Sequence, residues 1–370
     1  MKIKFLDFER EYDFLGKEVE DIISSVVRKG GFILGSELKV FEEEFASYCG
    51  VKYAVGVNSG TDALYLALLS LGIKEGDEVI VPAFTYIATA MAVSYTGAEP
   101  IFCDIDEADF NIDIEDIKRK LTPRTKAIIP VHLYGQPANM AAILDFASRN
   151  NIKVVEDAAQ AHGGAISVGK DLKKVGSFSD LGCFSFYPTK NLGCCGDGGI
   201  VVTESKALYE KLLKLRDYGR ESKYIHAMLG YNSRLDTLQA AVLSIKLKYL
   251  DQWNDRRREL SYYYNEALKD IPGIVIPSEG GGLKHVYHVY VVRVKERERL
   301  IEHLSLGGIP SIIHYPIPCH LQKVYRGSIN SEGLAPVSER LSDEVLSLPL
   351  NPFLEEREID YIVSEIKSFY

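Results

Sequence analysis

No apolar run in this 370-residue chain reaches the about 18 residues that a membrane-spanning helix needs, so no membrane span is predicted. The N-terminal stretch MKIKFLDFEREYDF has no apolar core of the kind that marks a signal peptide, and we expect no secretory leader. The net charge of −9 argues against nucleic acid binding through the whole surface, although it leaves room for a local basic pocket for a phosphorylated ligand. No low-complexity tract is present, and 46% hydrophobic residues are ample for a large domain and a smaller one.

Cysteine motifs are also missing. The six cysteines form no pair of CxxC motifs, and without a secretory context we predict reduced thiols in a cytoplasmic protein rather than disulfides. His314, Cys319 and His320 lie close together in the sequence, but the further ligands of a zinc site are absent, so no metal is predicted. The cysteines are Cys49, Cys103, Cys183, Cys194, Cys195 and Cys319.

What the chain does contain, up to about residue 203, is an alternation of short apolar segments with helical patterns. The apolar segments are nearly continuous, as expected of strands that are buried on both faces. They predict an α/β fold with a mostly parallel sheet covered by helices on both sides. The predicted strands are 53–57, 78–82, 99–105, 127–133, 152–158, 180–186 and 198–203.

The pattern changes in the last part of the chain. Residues 234–268 contain no Gly or Pro and predict one long helix or two abutting helices. We therefore predict a large domain over residues 1–248 and a smaller α+β domain over 249–370. The other elements predicted there are a strand over 285–294 and helices over 296–306 and 355–368.

Two motifs at predicted strand ends suggest cofactor chemistry. Lys190 in SFYPTKNLG lies beside Ser, Thr and Gly, as a Schiff-base lysine near a phosphate would. Taken alone, the motif is better explained by an ordinary surface lysine. Asp157 in VVEDAAQAHG ends a strand at the edge where open α/β sheets bind ligands. A buried carboxylate needs a cation, which the ring nitrogen of pyridoxal 5′-phosphate (PLP) supplies; a helix N-cap is the alternative. Glu156 ranks lower because neighbouring strand residues point to opposite faces.

An anion site is predicted at the strand–helix junction NSGTDAL, residues 58–64. Ser59, Gly60 and Thr61 offer backbone N–H groups and two hydroxyls at a helix N-terminus, although a plain N-cap explains them equally well. The spacing matches neither the Walker loop nor the dinucleotide motif GxGxxG, so ATP and NAD are disfavoured. In FTYIAT an aromatic ring can stack on PLP, while core packing is the simpler explanation for that motif alone.

These four motifs supply different needs of one cofactor, and their order resembles a known family. Together with FILG, GDGG, GYNSRLDTLQAA and HYPIPCHLQ they make residues 1–370 similar to the nucleotide-sugar aminotransferases of the DegT/StrS type, which are fold type I PLP enzymes. Relatives with His in place of the cofactor lysine are dehydrases, and Lys190 therefore favours transamination. Where the family often has small or aliphatic residues this chain has Cys194 and Cys195, for which simple apolar packing is expected.

The resemblance implies a role for each matching cofactor residue. Lys190 would form the Schiff base and carry the proton, and Asp157 would pair with the ring nitrogen. Tyr86 would stack on the ring, with Phe84 the less favoured candidate, and Gln160 would lie near the phenolic oxygen. The phosphate would be held by Gly60, Thr61 and Ser185.

The resemblance also implies a shared site and a sugar-binding loop. Asn232 would reach the phosphate of the neighbouring subunit, so a homodimer is expected, although a turn residue before a helix is the alternative. The segment HYPIPCHLQ would lie over the reactive face of the cofactor. His314, Tyr315 and Tyr187 would then contact the sugar, whereas the alternative is a proline-stiffened loop that only packs on the domain.

The expected reaction moves an amino group from glutamate to a nucleotide-linked keto-sugar. HYPIPCHLQ and FLDFEREYDF look more like members acting at C3 than at C4. A dTDP-linked 3-keto-6-deoxyhexose is therefore the first choice, a UDP-linked 3-keto sugar the second and a 4-keto sugar the third. Two other classes stay open: a PLP-binding regulator without turnover, which the Lys, Asp and Gln set disfavours, and a scaffold that binds nucleotide sugars without PLP.

Overall fold

The structure, a computed structural model, describes residues 1–326 and 333–370. The helices are α1 Phe8–Lys29, α2 Ser36–Cys49, α3 Gly60–Leu71, α4 Ala88–Tyr95, α5 Ile114–Lys120, α6 Met140–Asn150, α7 Lys206–Arg216, α8 Thr237–Leu247, α9 Leu250–Leu268, α10 Arg297–Leu306, α11 Pro336–Glu344 and α12 Glu356–Phe369. The strands are β1 Tyr53–Val57, β2 Glu78–Pro82, β3 Glu99–Cys103, β4 Thr125–Ile128, β5 Lys153–Asp157, β6 Ala165–Val168, β7 Asp171–Lys174, β8 Leu181–Ser185, β9 Gly199–Thr203, β10 Arg220–Ser222, β11 Ile225–His226, β12 Ile274–Val275, β13 Leu283–Lys284, β14 Tyr290–Val294 and β15 Val345–Leu348. No helix of these residues is both long and apolar enough to cross a bilayer.

Seven strands form the central sheet in the order β1-β9-β8-β5-β4-β2-β3. Strand β9 is antiparallel to both of its neighbours, and the other neighbouring pairs are parallel. In β2, Val79 and Val81 pack on the face covered by α3 and α4, while Ile80 between them packs against α5 and α6. Both faces are therefore buried, which explains the continuous apolar runs and confirms the predicted α/β class with a mostly parallel, helix-covered sheet.

A second core lies between the three-stranded sheet β12-β14-β15 and the helices α9, α10 and α12. The N-terminal segment also belongs to this core, because Ile3 packs in it and the Ile3 N–H donates to the carbonyl of Gly308 at 3.1 Å. Conversely, Cys319 packs in the core of the large sheet. The domain boundary predicted near residue 248 falls between α8 and α9 and stays a prediction. Ile3 and Cys319 each pack in the core on the other side of that boundary from their own sequence segment.

Two predicted strands are shorter in the structure than in the prediction. The strand predicted over 127–133 stops at Ile128, close to Pro130, which has no N–H for the ladder. The strand predicted over 285–294 begins only at Tyr290. The N–H groups of Val286 and His288 donate instead to the carbonyls of Gly135 and Tyr134, so this stretch is a loop that joins the two cores. Of residues 234–268, those from Thr237 onward form two abutting helices, α8 and α9.

Candidate active site

The predicted site residues converge on one edge of the central sheet. Strands β5 and β8 are parallel neighbours, with Asp157 opposite Cys183, so their carboxyl ends lie side by side. Helix α3 begins next to the end of β8, since a Cβ placed on Gly60 would lie 2.5 Å from the Cβ of Ser185. The structure thus brings Gly60, Ser185 and Asp157 to the same place, where parallel sheets usually bind ligands.

Asp157 is a buried carboxylate with few protein partners. Its Oδ2 accepts a 2.8 Å hydrogen bond from the Thr89 hydroxyl, and its Oδ1 accepts one of 3.2 Å from the Ala159 N–H. Burial raises its pKa above the ordinary value, while the hydrogen bond from Thr89 opposes that shift. A carboxylate in such a position needs a cation to stay ionised, and the protonated ring nitrogen of PLP fits this need.

Glu156 is buried on the opposite side and is already saturated. It accepts five hydrogen bonds of 2.7 to 3.1 Å, and although burial opposes them these bonds hold its pKa below the ordinary value. The groups around it are the His132 ring and the Gly176, Phe178 and Ser179 segment. Glu156 therefore braces a loop and leaves the ligand edge to Asp157.

Lys190 lies in a turn that follows β8, where its N–H donates to the carbonyl of Tyr187 at 2.9 Å. Burial lowers the pKa of its amine to about 8, although the charge of Asp157 opposes the shift. The surrounding histidines stay neutral because burial and the Lys190 charge lower their pKa values as well. These pKa values are about 3 for His162, about 4 for His314 and well below the ordinary value for His288. At pH 7 roughly a tenth of the amine is therefore neutral, far more than for an exposed lysine, and the neutral form is the nucleophile.

The N-terminus of α3 provides an anion cradle. Ser59 caps the helix by accepting a hydrogen bond of 3.1 Å from the Asp62 N–H. The N–H groups of Gly60 and Thr61 lie in the first turn, where an α-helix has no acceptors for them. Only glycine at position 60 permits the close approach to Ser185, so the Ser185 hydroxyl lies beside the first turn of α3. Together the hydroxyl and the N–H groups of that turn can hold a phosphate group.

Gln160 and the aromatic residues line the remaining wall. Gln160 accepts a 2.8 Å hydrogen bond from the Tyr134 N–H at Oε1 and donates one of 2.9 Å from Nε2 to the Tyr315 hydroxyl. Tyr86 is 56% exposed with its ring centroid 5.9 Å from that of Tyr315, whereas Phe84 is buried in the core. Of the two aromatic candidates, Tyr86 is thus the one with a ring free to stack on a ligand.

The sugar-contact candidates are partly connected to this wall. His314 bonds through Nδ1 to the Ser347 hydroxyl at 2.8 Å, and Tyr187 is half exposed beside Lys190. Asn232 is exposed, and its side chain makes no hydrogen bond to the described residues of its own chain. Its neighbour Ser233 contacts Asn58, just before the α3 cradle.

Two residues of the site were missed in the sequence. Thr89 lies in the first turn of the mostly apolar helix α4, and its position one turn after Tyr86 was the available signal. Tyr134 lies in HLYG, and a positive φ at a tyrosine has no sequence signature. Among residues 1–326 and 333–370, no three His, Cys, Asp or Glu side chains cluster as metal ligands would.

Comparison with known proteins gives a consistent result. The model of the DegT/DnrJ/EryC1/StrS aminotransferase family matches residues 14–367. The chain is 45% identical to a dTDP-3-amino-3,4,6-trideoxy-alpha-D-glucose transaminase of Streptomyces venezuelae, over 100% of this chain and 96% of the relative. It is 47% identical to a dTDP-3-amino-3,6-dideoxy-alpha-D-galactopyranose transaminase of Aneurinibacillus thermoaerophilus, over 99% of each. The crystal structure of S. venezuelae DesV in complex with a ketimine intermediate superposes with a TM-score of 0.97 at 45% identity, covering 100% of this chain and 98% of that one.

Proposed function

Because the chain belongs to the DegT/DnrJ/EryC1/StrS aminotransferase family, we propose that it transfers the amino group of glutamate to a dTDP-linked 3-keto-6-deoxyhexose. It is a PLP-dependent nucleotide-sugar aminotransferase. The observation that carries the proposal is the meeting of Lys190, Asp157 and the α3 N-terminus at one sheet edge. The names of the two dTDP-sugar transaminases support the choice of acceptor.

The protein's own groups divide the work of the cofactor site. When bound, PLP supplies a reactive carbonyl carbon and a ring that withdraws electrons from the carbon being deprotonated. Asp157 would keep the ring nitrogen protonated, and the α3 N-terminus with Ser185 would hold the phosphate. The Lys190 amine, whose pKa burial lowers to about 8, would take the proton from the α-carbon of glutamate and deliver it to the cofactor. Thr89 orients the Asp157 carboxylate through Oδ2.

The acceptor side is supported by the direction of one hydrogen bond. Gln160 Nε2 donates to the Tyr315 hydroxyl, so the phenolic proton of Tyr315 is directed elsewhere and is free for a sugar oxygen. His314 is neutral with a pKa of about 4, because burial and the Lys190 charge disfavour its protonated form. With Nδ1 bonded to Ser347, its Nε2 is left for the ligand. Both groups are polar, neutral and half-buried, as recognition of hydroxyls requires.

Replacing these two groups tests their role. We expect His314→Ala and Tyr315→Phe to slow the half-reaction with the keto-sugar by about ten-fold or more, because a buried partner is left unpaired. The half-reaction with glutamate and the cofactor absorbance should stay nearly unchanged. Stopped-flow absorbance of each half-reaction measures both. Equal slowing of the two halves, or loss of cofactor, would show that the loop is structural or serves PLP.

A substrate panel tests the acceptor itself. The aminated enzyme, prepared with pyridoxamine 5′-phosphate, is mixed with dTDP-linked and UDP-linked 3-keto sugars and with a 4-keto sugar. The proposal expects the dTDP-linked 3-keto-6-deoxyhexose to restore the spectrum of the PLP form fastest. Faster conversion by the UDP-linked or the 4-keto compound would show that this compound, and not the dTDP-linked 3-keto sugar, is the preferred acceptor. No conversion by any of them would contradict a sugar aminotransferase.

We further propose a cytoplasmic homodimer whose two active sites are shared between subunits. The exposed Asn232 lies in a surface with large uncovered apolar side chains, among them Leu229 at 91% exposure. The exposed Phe32 and Ile33 adjoin it, since the carbonyl of Phe32 accepts from the Thr237 N–H at the start of α8. An apolar surface of this kind around a polar ligand residue is typical of a subunit interface.

Mixed subunits test the shared site. Asn232→Ala alone should weaken PLP retention. When Lys190→Ala and Asn232→Ala subunits are mixed and allowed to exchange, about a quarter of the sites should combine two intact partners, and activity should return to that extent. Titrating one variant into the other while measuring turnover gives the answer. If the mixture is no more active than its parents, Asn232 does not act across the interface.

A further inference from the structure

Tyr134 has an unusual backbone conformation beside the active site. Its φ of 59° and ψ of 4° lie in the left-handed region, which a bulky residue other than glycine rarely adopts. The side chain is only 3% exposed, and the next residue, Gly135, also has a positive φ of 95°. Such a conformation persists only where the surroundings impose it, and it is concentrated at functional sites.

The contacts of Tyr134 extend in three directions. Its N–H donates to Oε1 of Gln160 at 2.8 Å, and Gln160 lies on the cofactor side of the site. Its carbonyl accepts from the N–H of His288 at 2.8 Å, in the loop that joins the two cores. Its phenol donates to the backbone carbonyl of His314, in the sugar-contact loop. One residue therefore connects the cofactor wall, the second core and the loop.

These contacts determine how Gln160 and Tyr315 face each other. Because Gln160 Oε1 accepts from the Tyr134 backbone, the amide must present Nε2 to the site, and this Nε2 bonds to the Tyr315 hydroxyl at 2.9 Å. Tyr315, the acceptor of this bond, directly follows His314. By donating to the His314 carbonyl, the phenol of Tyr134 therefore anchors the backbone next to Tyr315. Tyr134 thus holds both partners, one through its backbone and one through its side chain.

We propose that Tyr134 is a positioning residue for the acceptor, whose phenol holds the loop with His314 and Tyr315 against Gln160 and thereby aligns the sugar with the cofactor. The proposal rests on the proposed function, since it takes this loop as the acceptor site. Removing the hydroxyl alone leaves both backbone bonds and the ring packing against Phe110 in place. A change that follows from Tyr134→Phe therefore reports on the anchor of the loop.

The test compares Tyr134→Phe with Tyr264→Phe. Tyr264 is also fully buried and donates its phenolic proton to a backbone carbonyl, that of Pro349 at 3.0 Å, but in the second core. We expect Tyr134→Phe to slow the keto-sugar half-reaction by roughly five- to ten-fold, because misaligned groups lose much of their effect. The glutamate half-reaction should change by less than about two-fold. Amides of residues 311–317 should exchange hydrogen faster in Tyr134→Phe and not in Tyr264→Phe.

The outcomes separate this proposal from the proposed function. If the wild type converts a keto-sugar and Tyr134→Phe matches Tyr264→Phe in both half-reactions, the positioning role is overturned while the function stands. Equal slowing of both half-reactions in Tyr134→Phe would also overturn it, because the phenol would then serve the whole site. A wild type inert toward every keto-sugar of the panel would overturn the function, and this proposal with it.

Discussion

Turnover of Lys190→Ala is expected to fall to background. The substitution removes the amine that attacks the cofactor and the group that moves the proton, and positioned acid–base transfer alone typically contributes ~10²- to 10⁴-fold. The anion cradle at Gly60 and Thr61 is untouched, so PLP should still associate through its phosphate. Steady-state assays with glutamate and the preferred keto-sugar measure the loss. Borohydride reduction of the wild type followed by peptide mapping identifies the lysine that carries PLP.

Two matched variants sharpen this test. Lys174 is a second lysine whose pKa is lowered mainly by burial, but it lies on β7 and forms an ion pair with Asp251 at 4.0 Å, so Lys174→Ala should remain active. Lys190→Arg keeps the positive charge but has no neutral form near pH 7, and it should be as inactive as Lys190→Ala. Activity in Lys190→Arg, or a reduced adduct on Lys174, would contradict the assignment.

The pH dependence of PLP attachment follows from the same pKa. Burial lowers the pKa of Lys190 to about 8 from an ordinary 10.5, so the neutral amine is lost as the pH falls below about 8. The rate at which the apoenzyme takes up PLP covalently should therefore rise with pH and level off slightly above 8. A rate that kept rising toward pH 10.5 would mean that the amine is solvated like a surface lysine.

Much of the central sheet could be predicted because its strands are short, apolar and buried on both faces. β1 and β2 were predicted with the bounds that the structure has. The antiparallel direction of β9 could not be predicted, since Gly199–Thr203 is buried on both faces and such a run has no mark of direction. The stretch before β14 alternates like a strand, yet its backbone bonds to a distant loop at Tyr134, a contact that no local pattern contains.

The candidate site was predictable where a motif matches a chemical need, as at Lys190, Asp157 and NSGT. The residues that orient those groups were not. Thr89 is an ordinary helix residue in sequence, and only the tertiary fold brings its hydroxyl within 2.8 Å of Asp157. Tyr134 acts through its backbone as well as its side chain, and its contacts span more than 150 positions of sequence.

Asp157→Asn is expected to reduce turnover by about 10²-fold or more while PLP remains bound. The change replaces a buried ion pair with a neutral contact, and the loss of one partner of such a pair costs about 3–5 kcal/mol. The protonated ring nitrogen is then no longer favoured, so the ring withdraws electrons less well and both half-reactions should slow together. This distinguishes Asp157→Asn from the loop variants, which slow only the keto-sugar half. Stopped-flow rates of both halves provide the measurement.

The neighbouring carboxylate provides the control for Asp157. Glu156→Gln is an equal loss of charge one residue away, but Glu156 accepts five hydrogen bonds from His132 and the Gly176–Ser179 segment. Its amide nitrogen would face donors, so the expected result is a lower melting temperature with nearly normal rates in the folded fraction. The turnover of Thr89→Val should lie between those of Asp157→Asn and Glu156→Gln. Losing the hydrogen bond from Thr89 raises the pKa of Asp157 further but keeps the carboxylate. If Asp157→Asn retained near-normal turnover while Glu156→Gln lost it, the ring nitrogen would pair with Glu156 and the assignment of Asp157 would be wrong.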